Sequence, residues 1–68
     1  MTEFGKRLRE LRKEKGISQQ KLALEILYSQ SVVCDWENNK IEPTATAIMK
    51  VADYFDVSAD YLLGRKEI

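Results

Sequence analysis

Side chains able to hydrogen-bond to a partner are concentrated between positions 30 and 38, in the stretch QSVVCDWEN. On a helix with 3.6 residues per turn, Val33 and Trp36 share one face, and the small polar residues share the opposite face. That polar face consists of Gln30, Ser31, Cys34, Asp35 and Asn38. In a DNA major groove, which admits one helix, a Gln amide can pair with adenine and an Asp carboxylate can accept from cytosine N4. Any solvated surface helix also has a polar face, so this face alone does not decide between the two interpretations.

The composition argues against catalysis and against a bound metal. The 68 residues contain no histidine, one cysteine and three glycines. There is therefore no Cys-His or Ser-His pair, no zinc site and no glycine-rich phosphate loop. We expect no enzymatic activity, no cofactor, no metal and no small-molecule substrate. Because no histidine or second cysteine accompanies Cys34, we interpret it as a small packing side chain rather than a redox switch.

The length predicts one domain, residues 1–68, with a small core. Hydrophobic residues make up 44% of the chain and charged residues 32%, as in a globular protein rather than a disordered tail. No apolar run approaches the roughly 20 residues that span a bilayer, and residues 1–15 show no basic-then-apolar signal pattern. We therefore expect a cytoplasmic protein with no membrane partner.

The charge distribution is uneven although the net charge is zero. A zero net charge argues mildly against a nucleic-acid partner, because neutralised phosphates supply most of the non-specific affinity. However, residues 1–21 carry seven basic and three acidic side chains, and the remainder carries four basic and eight acidic ones. The two parts therefore have charges of +4 and −4. We predict that the basic end can face phosphate, although a solvated basic helix explains the same run.

The spacing of apolar residues predicts helices and no strand. Phe4, Leu8 and Leu11, for example, fall at i, i+4 and i+7, which is one stripe of an amphipathic helix. The predicted helices span residues 2–15, 19–26, 30–38, 45–55 and 59–63. Hydroxyl residues that can accept from first-turn N–H groups precede the last four helices: Ser18, Ser29, Thr44 and Ser58. Residues that tolerate a left-handed backbone end the first, third and fifth predicted helices: Gly16, Asn38-Asn39 and Gly64. The expected fold is an all-α, compact five-helix bundle.

The types and spacing of several residues resemble the phage repressor and Cro type of helix-turn-helix, the Xre family. The matching positions are Leu11-Arg12, Ser18-Gln19, Leu22-Ala23, Val33, Trp36-Glu37, Pro43, Ala52 and Val57-Ser58. The resemblance covers about Phe4 to Gly64 and implies a lambda-repressor-like DNA-binding domain, with the helix-turn-helix formed by helices 2 and 3. It further implies a sequence-specific, cytoplasmic and nucleoid-associated transcriptional regulator of the repressor type, encoded by a bacterium or a phage.

The resemblance also implies roles for individual residues in contact with double-stranded DNA. Helix 3 would lie in the major groove of a palindromic operator that is bound by a homodimer. The positions implied to read bases are Gln30, Ser31, Val32 and Asp35. Those implied to contact phosphate are Gln19, Asn38 and Lys40, and Gln19 would also brace Gln30.

Structural roles follow from the same resemblance. Arg12 and Glu37 match an ion pair that ties helix 1 to the end of helix 3. We interpret Trp36 as a core anchor beside Val33 rather than a base-stacking residue. The apolar C-terminal residues, which extend to Ile68, suggest an interface, and the implied dimer contacts are Tyr61, Leu62 and Leu63.

Three positions depart from the family pattern. Leu27 and Asn39 stand where glycine is frequent, so Leu27 either adopts a strained left-handed backbone or changes the turn. Asp35 places a negative charge where the family often has a polar or basic residue, and this charge repels phosphate unless it accepts from a cytosine amino group. Two alternative functions stay open. The zero net charge and Asp35 favour a protein-interaction module of the same fold, and the apolar residues from Tyr61 to Ile68 suit the N-terminal DNA-binding fragment of a longer repressor.

Overall fold

Five helices follow one another along residues 2–67, the part of the chain that the computed structural model describes. They are α1 (Phe4–Lys15), α2 (Gln19–Ile26), α3 (Gln30–Glu37), α4 (Ala45–Phe55) and α5 (Ala59–Leu62). The all-α prediction is confirmed, and the observed helix ends differ from the predicted ones by at most two residues. Within this range, no helix has the length and apolarity required to cross a membrane.

Side-chain hydroxyls start four of the five helices. Each accepts a hydrogen bond from the backbone N–H three residues later, which satisfies a donor that the first helical turn leaves unpaired. The donor–acceptor distances are 3.0 Å for Ser18, 3.3 Å for Ser29, 3.1 Å for Thr44 and 3.0 Å for Ser58. These are the residues that the sequence predicts as caps, because this capping depends only on close neighbours in the chain.

Left-handed residues end or follow the helices. Gly16 takes this conformation without a steric penalty, with φ of 75°. Of the two asparagines that follow α3, Asn39 is left-handed, with φ of 58°, whereas Asn38 keeps φ at −96°. Leu27 and Asp56 also have positive φ, at 63° and 56°. Leu27 therefore adopts the strained left-handed backbone and keeps the turn, at a cost of about 1–2 kcal/mol.

All five helices contribute side chains to one core. Trp36 on α3 is only 3% exposed, and its ring meets Phe4 edge-on with 5.6 Å between ring centroids. Tyr28, in the α2–α3 connection, contacts Trp36 from another side at 5.1 Å. Trp36 is thus a core residue, as predicted. The buried apolar side chains are Phe4, Leu8, Leu22, Ala23, Ile26, Val33, Trp36, Ala47, Val51, Ala52 and Leu62.

A glycine inside α1 allows this helix to approach the C-terminal end of α3 closely. A Cβ atom at Gly5 would overlap the carbonyl oxygen of Trp36 and crowd the Asn39 side chain. Sequence reasoning missed Gly5. The available signal was an isolated glycine within a helical pattern, which costs about 1 kcal/mol relative to alanine and therefore indicates a packing reason.

The C-terminal residues pack against α1. The Arg7 guanidinium lies 4.4 Å from the centroid of the Tyr61 ring, and its Nη1 donates to the Lys66 carbonyl oxygen at 3.0 Å. Leu62 is 0% exposed, so its predicted role in a dimer interface is wrong: its side chain is already buried in its own core. Tyr61 and Leu63 are half-buried, and Ile68 lies outside the described residues.

Candidate nucleic-acid interface

Helix α3 is anchored along one face and open along the other. Val33, Trp36 and Glu37 are buried against the rest of the bundle. The opposite face carries the polar residues identified from the sequence. Gln30, Ser31 and Asn38 are exposed, and Val32, Cys34 and Asp35 are half-buried.

The polar face of α3 is partly preorganised by hydrogen bonds between its own side chains. The Ser31 hydroxyl lies 3.2 Å from that of Ser29, the residue that caps the helix. The Asn38 Nδ2 donates to Cys34 Sγ at 3.3 Å. Within residues 2–67, the Gln30 amide and the Asp35 carboxylate form no side-chain hydrogen bond. Both are therefore available to a partner.

The Glu37 carboxylate fixes the inner end of α3. Its side chain is 0% exposed and accepts from Arg12, whose Nε lies 2.7 Å from Oε2 and whose Nη2 lies 3.0 Å from Oε1. Burial by itself raises the pKa of Glu37, but the hydrogen bonds from Arg12, Gln19 and Arg9 and the Arg12 charge lower it below the ordinary value of 4.5. The same contact raises the pKa of Arg12. The structure thus brings together the two residues that the resemblance pairs.

Gln19 does not make the contact that the resemblance implies. Its Nε2 donates to Glu37 Oε1 at 3.1 Å, and no hydrogen bond joins it to Gln30 among the described residues. The predicted brace to Gln30 is therefore replaced by a brace to the end of α3. The N-terminus of α2 still offers the backbone N–H groups of Gln19 and Gln20: the Ser18 cap accepts from Lys21, and no acceptor for the other two lies among residues 2–67.

The loop after α3 holds the other two predicted phosphate positions. Lys40 is exposed, and its backbone N–H donates to the Asp35 carbonyl oxygen at 2.9 Å. Asn38 is exposed and accepts at Oδ1 from Arg9 Nη2 at 3.2 Å. Sequence reasoning did not single out Arg9, although its spacing of three from Arg12 places both on the same face of α1.

Internal pairing reduces the basic excess of the first 21 residues. Arg12 is paired with Glu37, and Lys21 lies 2.9 Å from Glu25. Arg7 lies 3.3 Å from Glu3 and 3.6 Å from Glu67. The Lys15 Nζ lies over the Tyr54 ring of α4, at 5.1 Å from its centroid. The charge that can reach a partner of α3 is therefore smaller than the sequence count suggests.

A family model described as helix-turn-helix matches residues 8–62, which is most of the chain. The chain belongs to this helix-turn-helix family. The matched range includes α2 and α3, the pair that the sequence predicts as the motif, and the resemblance to phage repressors is confirmed.

The helix-turn-helix domain is similar to curated regulators and to a solved repressor. It is 31% identical over 65 residues to the HTH-type transcriptional regulator ImmR of Bacillus subtilis (strain 168), covering 96% of this chain and 51% of ImmR. It is 30% identical over 66 residues to the HTH-type transcriptional activator BcrR of Enterococcus faecalis, covering 97% of this chain and 32% of BcrR. The chain therefore spans about half the length of one curated relative and about a third of the other.

The structural comparison covers nearly all of the chain. The P22 c2 repressor protein, solved in complex with a synthetic operator, superposes with a TM-score of 0.88 at 27% identity. The match covers 97% of this chain and 100% of that one. The helix-turn-helix fold of the bundle is thus shared with a repressor that was captured on DNA.

Proposed function

We propose that this chain is a sequence-specific, DNA-binding transcriptional regulator that places α3 in the major groove. The observation that carries this proposal is the division of α3 into two faces. Val33, Trp36 and Glu37 are buried against the bundle, while Gln30 and Asp35 lie on the opposite face and form no side-chain hydrogen bond within residues 2–67. Similarity to ImmR and to the operator-bound P22 c2 repressor supports it.

Base reading follows from the chemistry of the open face. The Gln30 amide can make a bidentate pair with adenine, and Asp35 can accept from the amino group of cytosine. The half-buried Val32 has methyl groups for a thymine methyl, and the Ser31 hydroxyl can serve as donor or acceptor. Four neighbouring side chains on one helix are enough to discriminate a half-site of a few base pairs.

Phosphate contacts would set the register of α3 in the groove. The proposed phosphate contacts lie at the two ends of the helix-turn-helix in the sequence. Gln19 begins α2, and the exposed side chains of Asn38 and Lys40 follow α3. Helix N-termini, amides and ammonium groups all bind phosphate oxygens without reading sequence.

The finer parts of the proposal concern assembly. We infer that two copies bind a palindromic operator, with recognition helices about 34 Å apart, and that Tyr61 and Leu63 contribute to the contact between them. The regulator acts as a repressor in the cytoplasm, in association with the nucleoid, and not as an enzyme.

A selection of bound sequences from random DNA, followed by a gel shift at several salt concentrations, tests the proposal. A palindromic consensus and a salt-sensitive shift are expected. Gln30→Ala should relax the consensus at one position of each half-site, while Thr46→Ala, an exposed polar site on α4, should leave it unchanged. A selected DNA pool without any consensus, together with no gel shift at micromolar protein, would refute the DNA-binding function.

One observation favours a second candidate, a protein-interaction module. Leu24, Leu27 and Met49 are 68%, 81% and 62% exposed, a large apolar exposure for so small a protein. A protein partner bound there would be retained by Gln30→Ala, whereas DNA specificity would change. The selection experiment therefore separates the two functions.

A further inference from the structure

Two guanidinium groups of α1 surround the single buried carboxylate of α3. Arg12 and Arg9 both donate to Glu37, so the cluster carries one positive charge more than it needs for neutrality. Gln19, the third donor, is uncharged. A buried carboxylate requires one close counter-ion, and a second cation beside it needs another explanation.

The two arginines differ in how tightly they are held. Arg12 is 12% exposed and binds Glu37 at 2.7 and 3.0 Å and the Ile17 carbonyl oxygen at 2.9 Å. Arg9 is 44% exposed, and its three hydrogen bonds measure 3.2, 3.3 and 3.5 Å. Its Nη1 makes no hydrogen bond within residues 2–67. Arg12 therefore neutralises Glu37, and Arg9 carries the surplus charge to the surface.

Arg9 also determines the orientation of the Asn38 amide. A guanidinium is only a donor, so the Asn38 atom that faces it must be the oxygen, and Arg9 Nη2 lies 3.2 Å from Oδ1. The Nδ2 group is thereby directed to the other side, where it contacts Cys34 Sγ at 3.3 Å, a weak acceptor. Its second N–H remains available at the exposed end of α3.

We propose that Arg9 is a phosphate-contacting residue of the interface that also positions Asn38. Its guanidinium contacts a DNA phosphate at the C-terminal end of α3, and its bond to Oδ1 presents the Asn38 Nδ2 donor toward the same strand. This inference rests on the proposed DNA-binding function. It adds to the DNA interface a cation from α1, which lies outside the helix-turn-helix itself.

The test is the salt dependence of binding to the duplex selected by the wild-type chain. The association constant K falls as salt is added, and Arg9→Gln should make the slope of log K against log salt concentration less steep by about 0.9 per protomer. It should also weaken binding roughly tenfold at low salt. Lys15→Gln removes the same charge from the same helix, but this lysine lies over Tyr54 of α4 and should leave the slope unchanged. Equal slopes for Arg9→Gln, Lys15→Gln and wild type would overturn the proposal while leaving the DNA-binding function in place.

A second measurement uses the wild-type chain and does not depend on the folding of a variant. Phenylglyoxal modifies accessible arginines, and mass spectrometry gives the rate at each one with and without the duplex. Arg9 should be protected by DNA, and the exposed Arg65 serves as the internal reference. Modification of Arg9 at the same rate in both samples would refute the contact. A wild-type chain that binds no duplex would instead refute the proposed function itself.

Discussion

Arg12 Nε and Glu37 Oε2 lie 2.7 Å apart, and this ion pair joins the last turn of α1 to the last residue of α3. The carboxylate is completely buried, and the guanidinium is nearly so. Because a second bond of 3.0 Å joins the same two side chains, the contact fixes the direction of α3 as well as its position. Helix α3 is thus held at its C-terminal end by charge and along its length by the core.

Removing the carboxylate should cost much of the stability of so small a domain. We expect Glu37→Ala to lower the free energy of unfolding by about 3–5 kcal/mol, because it leaves Arg12 with an uncompensated charge in a shielded site. Urea denaturation measures the change. Glu25→Ala, which breaks the exposed pair with Lys21, should cost less than about 1 kcal/mol. Similar losses for the two variants would contradict the structural role of Glu37.

Stability should depend on pH through the same carboxylate. The folded-state pKa of Glu37 lies below its ordinary value of 4.5, so the unfolded chain binds the proton more readily. The stabilisation is therefore complete above about pH 4.5 and is lost as the pH falls through the folded-state pKa. Urea midpoints measured between about pH 7 and pH 3 should show this loss, and Glu37→Gln should flatten it. An identical pH profile for the variant would assign the acid sensitivity to other carboxylates.

Leu27 is a site where glycine should stabilise the protein. Its backbone is left-handed, with φ of 63°, and its side chain is 81% exposed, so little burial is lost on substitution. We expect Leu27→Gly to raise the free energy of unfolding by about 0.5 kcal/mol, the strain relieved minus the greater entropy of the unfolded glycine. Leu24→Gly, at a site within α2 that is 68% exposed, should lower it by about 1 kcal/mol. Changes of the same sign would argue against strain at Leu27.

Gly5 should tolerate no side chain. Gly5→Ala places a methyl group against the Trp36 carbonyl oxygen, a backbone atom that cannot rotate away, so α1 and α3 must separate. We expect a loss of about 2 kcal/mol or more in thermal or urea unfolding. Gly16→Ala meets no atom within 4 Å and should cost only the left-handed strain of about 1 kcal/mol. A smaller loss at Gly5 than at Gly16 would show that the two helices can move apart easily.

If α3 reads DNA bases as proposed, Asp35 should determine the preferred base at one position of each half-site. Asp35→Gln replaces an acceptor for cytosine by an amide that suits adenine, and it removes a negative charge from the face that approaches DNA. We therefore expect the selected base at one position of each half-site to change and the overall affinity to rise. Asp53→Asn, at an exposed carboxylate on α4, should change neither. Repeating the selection with both variants makes the comparison, and an unchanged consensus for Asp35→Gln would exclude it from base reading.

The helices and their ends could be predicted from local sequence because the forces that define them act between near neighbours. Ser18 and Ser29 cap helices through hydrogen bonds to the residue three positions on, and Gly16 ends α1 with its own backbone. The two faces of α3 follow from helical periodicity in the same way. These features, together with the register of the family pattern, determined the fold class and the placement of the open face.

Only the tertiary structure decided which distant side chains meet. The angles at which short helices pack determined that Gln19 bonds to Glu37 and not to Gln30, and that Arg9 reaches Asn38 across 29 positions of sequence. Packing also buried Leu62 completely and brought α1 against α3 at Gly5. Such contacts depend on the sum of many small packing energies over the whole core, so no short stretch of residues specifies them. The sequence by itself determined the two faces of α3, and packing decided which residues of the other helices support that helix.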